Sequence, residues 1–142
     1  MAKLHSHFGV YAGIMDEPGE KILLIKKARG PYTGLLDLPG GSPEDEELLE
    51  DTLIREVAEE TGGTVTAMSQ IGANSVLYLY GEEGDERVLR HIGVFYEAAV
   101  EGVTIGQSDG EDSLGARWWS IADLTEDKVT PFVWAASGSS EE

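Results

Sequence analysis

Strand patterns on both sides of one long acidic helix, closed by a short final helix, predict a domain of mixed strands and helices, α+β on pattern alone. Two observations carry this. Residues 8–14, 21–25 and 87–100 alternate or run apolar in the manner of strands. Between them, residues 41–63 read as a glycine turn feeding a helix that ends in carboxylates. A chain of 142 residues suits one domain with a real core, set at 1–136, ahead of a 137–142 tail of Ser, Gly and Glu expected to be disordered.

Phe8 to Ile14 alternates as a half-buried strand, Asp16 to Glu20 turns the chain, and Lys21 to Ile25 is an apolar run with buried-strand character. That strand emerges in Lys26, Lys27 and Arg29, three of only 10 basic residues, before the loop Gly30 to Gly34 and the turn Leu38-Pro39-Gly40-Gly41. The helix follows, with Ser42 or Asp45 placed to cap it and the pair Gly62-Gly63 placed to end it. Thr64 to Gly72, Ser75 to Tyr80 and Arg87 to Val100 read as strands, with a polar hairpin turn at residues 81–86. A glycine-rich acidic loop, Gly102 to Gly115, leads to a strand at Ala116 to Ile121, where Trp118 and Trp119 point to opposite sides. A short helix closes the domain near Pro131 to Ala136. His91 reads as a strand histidine with its hydrogen bonds satisfied in the fold, since nothing else in the sequence positions it.

Lys and Arg total 10 against 27 Asp and Glu, a net charge of -17, which argues against a basic surface for long nucleic acid. With no cysteine and no apolar run of signal or transmembrane length, the expected location is cytoplasmic, away from membranes.

On the helix, Glu56, Glu59 and Glu60 fall within an arc of about 100°, so three like charges project from one face. Such a cluster raises the pKa values of its own members unless something compensates, and a hard cation such as Mg²⁺ or Mn²⁺ is the fitting compensation. A solvated acidic face is the plain alternative. The frame decides: Gly41, Glu47, Arg55, Glu56, Val57, Glu59, Glu60 and Gly62 stand at the spacing G-x5-E-x7-R-E-U-x-E-E-x-G-U, with U a bulky aliphatic residue. Residues Gly41 to Gly63 thus resemble the box of the Nudix hydrolase family, of MutT-like type. The chain departs from it at Gly63, where a second aliphatic is usual, and at Glu46 and Leu48 around the first Glu.

The resemblance implies an α/β/α sandwich around a mixed β-sheet and a Mg²⁺-dependent (or Mn²⁺-dependent) pyrophosphohydrolase. Its substrate would be a small nucleotide-like diphosphate, either a nucleoside triphosphate or a nucleoside diphosphate joined to another group. It implies metal ligation by Glu56, Glu59, Glu60 and the Gly40 carbonyl, with Glu56 as the general base. Arg55, paired with Glu47 and beside Glu59, would orient the carboxylates; Lys26 and Arg29 would hold substrate phosphates. Asp112, six positions before Trp118 and next to Glu111, would be a further ligand from a mobile loop. A nucleotide-binding sensor of the same fold without turnover is the second reading, and a homodimer is left open. The proline frequent in ADP-ribose enzymes is missing, and Tyr80 stands near a tyrosine of diadenosine polyphosphate enzymes; the substrate stays open.

Overall fold

The computed structural model describes residues 2–108, 110 and 113–136; Asp112, Glu111 and the 137–142 tail lie outside the described residues. In chain order the elements are β1 (Lys3–Gly13), β2 (Lys21–Lys27), β3 (Leu36–Asp37), β4 (Gly40–Gly41), α1 (Leu49–Thr61), β5 (Thr64–Glu82), β6 (Asp85–Glu101), β7 (Ser113–Ser120) and α2 (Pro131–Ala136). Two 3-10 turns, Ile121–Asp123 and Glu126–Lys128, lead into α2.

The strands form two sheets, ordered β4-β1-β6-β5 and β3-β2-β7. The first is mixed: β1 runs parallel to β6, while β4 and β5 pair antiparallel to their neighbours. The hairpin between β1 and β2 joins the sheets, with Leu23 N–H donating to Ile14 O at 2.9 Å. Asp16 makes that turn by accepting the N–H groups of Gly19, Glu20 and Lys21 on Oδ1.

Strand alternation sorts the core into two layers. Val10 and Ala12 of β1, Ile14 just beyond its end, and Leu23 and Ile25 of β2 meet Leu53 and Val57 of α1. Their neighbours Tyr11, Ile22 and Leu24 face the other way, onto Phe132 and Val133 of α2. A helix therefore covers each side of the strands, the sandwich expected above. Leu53 and Val57, one turn apart and fully buried, each contribute roughly 1.5–3 kcal/mol. Trp118 and Trp119 do face opposite layers, one against each cluster.

Several expectations change. The two strands read at 64–72 and 75–80 are one strand, β5, because Gly72 at φ +149° absorbs a bulge against the unbroken β6. Helix α1 is capped by neither Ser42 nor Asp45. The N-cap position is held by Leu48, whose N–H donates to Asp51 Oδ2 at 3.0 Å, while the Ser42 hydroxyl donates to Phe8 O at 2.8 Å. Gly62 ends the helix as read, in the left-handed region at φ 76°. The loop before β7 is shorter than expected, since that strand begins at Ser113. Among the described residues no helix is long and apolar enough to cross a membrane.

Candidate active site

The turn before α1, the helix itself and the ends of β1 and β2 enclose a cavity of about 450 Å³. Its helix side is built around one cation. Arg55 Nε and a terminal nitrogen grip both oxygens of Glu47 at 2.7 and 3.0 Å, in the bidentate fork that guanidinium and carboxylate geometry favours. Its other terminal nitrogen donates to Glu56 Oε2 at 3.1 Å and Glu59 Oε1 at 3.3 Å, and a further bond reaches Ser42 O at 3.1 Å. The hydrogen bonds from Arg55 and the Glu44 N–H hold the Glu47 carboxyl down at about 2, and the pKa of Arg55 rises in return. Glu47 also accepts the Thr52 hydroxyl at 3.0 Å, so it ties the loop, the helix and the guanidinium together.

Glu60 points from the same helix to the opposite wall, where it is buried and accepts the Gly40 N–H at 2.9 Å. Gly40 and Gly41 leave room that a side chain would fill. A Cβ at Gly40, held at φ 152°, would run into Val10 O, and one at Gly41 into the Glu56 carboxylate. The backbone can therefore approach the box carboxylates as no side chain would permit.

Of the residues singled out in the sequence, Arg29, Gly40, Arg55, Glu56 and Glu60 line this cavity, and Glu47 and Glu59 reach it through Arg55. Lys26 does not. A bulge between Ile25 and Lys27 leaves Lys26 exposed and brings Lys27 to the cavity instead. Tyr80 stands outside the wall, stacked 6.4 Å from Tyr78. Asp112 lies outside the described residues.

The structure adds His5, His7, Tyr11, Tyr32 and Asp37, which sequence reasoning missed. The signal for the histidines was the parallel register, which sets His7 beside His91 and His5 beside Leu89. His91 is buried and satisfied, with Tyr11 Oη 2.6 Å from Nε2 and Tyr32 Oη 3.0 Å from Nδ1; burial drives its pKa down to about 3.

As the side chains lie, no three histidine or acidic groups among the described residues are close enough together to hold a metal ion. The donor set nevertheless fits one. Glu56 and Glu59 already converge on a single positive nitrogen within 3.3 Å, and every donor is a hard oxygen.

A family model for the NUDIX domain matches residues 3–136. The chain belongs to the Nudix family. An ADP-ribose pyrophosphatase of Methanocaldococcus jannaschii is 38% identical over 73 residues, 51% of this chain and 43% of that protein. A putative 8-oxo-dGTP diphosphatase of Bacillus subtilis is 30% identical over 116 residues, covering 82% of this chain and 68% of its own length. Putative nudix hydrolase 1 of Caenorhabditis elegans is 29% identical over 89% of this chain but 33% of its own. The chain thus spans less than half of two of its curated Nudix relatives. A MutT NUDIX hydrolase from Burkholderia pseudomallei shares the fold, with TM-score 0.67, 24% identity and coverage of 96% and 98% of the two chains.

Proposed function

We propose that this Nudix protein is a Mg²⁺-dependent pyrophosphohydrolase of a nucleoside triphosphate or another nucleoside diphosphate derivative. The observation that carries the reading is the shared cavity, lined both by the box carboxylates Glu56 and Glu60 and by Lys27 and Arg29. A pyrophosphate linkage is anionic and inert. Its hydrolysis needs cations at its oxygens, a positioned water and a base. Lys27 and Arg29 supply fixed positive charge to the phosphates in a molecule of net charge -17, and together with a bound divalent ion they would reverse the field locally. Glu56, Glu59, Glu60 and the Gly40 carbonyl would hold the divalent ion, joined by Asp112. A divalent ion held there would supply neutralisation of phosphoryl oxygens and acidify a bound water. Glu56 takes the proton from the attacking water, and Arg55 keeps Glu56 and Glu59 side by side against their repulsion.

The names of two relatives, an ADP-ribose pyrophosphatase and a putative 8-oxo-dGTP diphosphatase, fit this substrate class. The test is a panel of ADP-ribose, dinucleoside polyphosphates and ordinary and oxidised nucleoside triphosphates, with Mg²⁺, scored by chromatography of released nucleotide. Turnover that stops on chelation is expected. Tight binding with no turnover of any of them would make the protein a sensor instead.

A further inference from the structure

Asp37 lines the cavity floor, yet the reaction proposed above gives it no task. It is 3% exposed. Its two hydrogen bonds both fall on Oδ1, from Leu38 N–H and the Thr130 hydroxyl, each at 2.8 Å. Thr130 in turn accepts the Val133 N–H at the start of α2, so Oδ1 has a structural role. Among the described residues Oδ2 makes no hydrogen bond. Among those same residues no side-chain oxygen or nitrogen is at once sealed from solvent and without a partner. Oδ2 therefore opens onto the cavity. The Lys27 charge offsets part of the cost of burying this carboxylate, and the open oxygen gains further from a ligand that supplies a donor.

A donor stands near it. Tyr11 and Tyr32, which line the cavity, hold the two nitrogens of His91 from opposite sides. A neutral imidazole has one N–H and one lone pair, so it accepts a hydrogen bond from one hydroxyl and donates one to the other. The hydroxyl that accepts keeps its own proton to donate elsewhere. The floor thus offers one carboxylate acceptor together with one hydroxyl donor.

A phosphate brings negative charge and at neutral pH little or no O–H, so Oδ2 repels it. The phosphates belong with Lys27, Arg29 and the box. We infer that Asp37 is a specificity-determining residue that accepts a hydrogen bond from an N–H or O–H on the nucleoside part of the substrate. A hydroxyl of the Tyr11–His91–Tyr32 chain donates to a neighbouring acceptor atom of the same group. The inference rests on the hydrolase reading for its substrate class and not for the recognition itself.

Asp37→Asn isolates the open oxygen, because the amide oxygen still accepts from Leu38 and Thr130 while an NH₂ replaces Oδ2 in the cavity. The probes are 5′-nucleoside monophosphates in matched pairs that differ by one donor: a base amino group present or removed, a 2′- or 3′-hydroxyl present or removed. Dissociation constants are measured by calorimetry without metal, and kcat/KM for the matching triphosphates with Mg²⁺. For the wild type, at least one pair should differ tenfold or more in favour of the donor, and Asp37→Asn should reduce that same ratio below threefold. Base pairs and sugar pairs distinguish an N–H from an O–H source. Thr130→Val is the control: it should lower Tm and leave the ratio intact, which separates recognition from support of α2. Ratios that Asp37→Asn leaves unchanged, or that Thr130→Val moves equally, overturn the inference while the hydrolase stands. Binding ratios that respond as expected with no triphosphate cleaved overturn the hydrolase and keep the recognition. No binding of any nucleotide overturns both.

Discussion

Arg55 shows how a single side chain can make a repulsive cluster tolerable. Its guanidinium donates to four groups, Glu47, Glu56, Glu59 and Ser42 O, so two carboxylates of the helix face share one cation. On the proposed mechanism Glu47 serves the guanidinium and Glu59 the divalent ion, and substitution should separate them. Glu59→Gln should lower kcat by more than a hundredfold, about 2.7 kcal/mol or more, with little change in Tm. Glu47→Gln should cost about tenfold or less in kcat and lower Tm, because it loosens Arg55, the Glu44 turn and Thr52 together. Steady-state rates across a Mg²⁺ titration, with melts of both variants, decide this; equal loss of turnover with unchanged melting would place Glu47 among the metal ligands. The pairings of Arg55 with Glu47 and Glu59 were legible in the sequence, since helical spacing and the box frame put them together. The bond from Gly40 to Glu60 and the burial of Asp37 were not. Each joins residues distant in sequence across a tertiary contact, and a lone Asp between two leucines carries no periodic signal.

At the scale of elements, two glycines at the ends of the box do different work. Gly41 lets the β4 backbone lie against the Glu56 carboxylate; Gly63 lies under Val100 and Val103 of the strand and loop that pass over the end of α1. The departure from a bulky residue at 63 is thereby accounted for. A Cβ there would strike Val100 Cγ1, so that valine occupies the volume the missing side chain would fill. Gly63→Val should overpack the site at a cost of about 1–3 kcal/mol, lowering Tm by roughly 3 °C or more. Adding Val100→Ala should recover much of the loss. Gly41→Ala should instead leave Tm close to wild type, since a flexible carboxylate can move aside, and lower kcat by displacing Glu56. Calorimetry and initial rates on the three variants check both halves, and a Gly41→Ala protein with full activity would refute the close-approach account. Element existence was largely legible, because α1, β2 and β6 carry strong periodic signals. The continuity of β5 and the start of α1 were not, because a bulge at Gly72 and a cap through Asp51 depend on partners outside the local window.

For the whole molecule, the consequence of a net charge of -17 is that acid acts in opposing directions. Protonating surface carboxylates relieves mutual repulsion as pH falls, which favours the compact state. Buried groups do the reverse according to the sign of their shifts. His91, buried among Tyr11, Tyr32 and Phe132, has its pKa lowered by burial from 6.5 to about 3. The unfolded chain therefore binds a proton there before the folded one does, and the stability this histidine contributes is complete above pH 6.5 and lost as pH falls toward 3. Glu47, lowered from 4.5 to about 2, acts with the same sign in a later window, between those values. Asp37, whose pKa burial raises, acts with the opposite sign, since its folded form takes up a proton first. Comparing two proteins cancels the surface contribution they share. Between pH 6.5 and 4.5 the Tm of the wild type should fall relative to that of His91→Gln, whose amide can still bond a tyrosine hydroxyl and does not titrate. Below pH 4.5 the two profiles should keep nearing each other and then run closer to parallel as pH passes 3. Melting followed by circular dichroism at intervals of half a pH unit would test the sign directly. Parallel profiles from pH 7 to 4.5 would mean that His91 takes up its proton in the folded protein as readily as in the unfolded chain, and both ring nitrogens would then donate, leaving both tyrosine hydroxyls as acceptors.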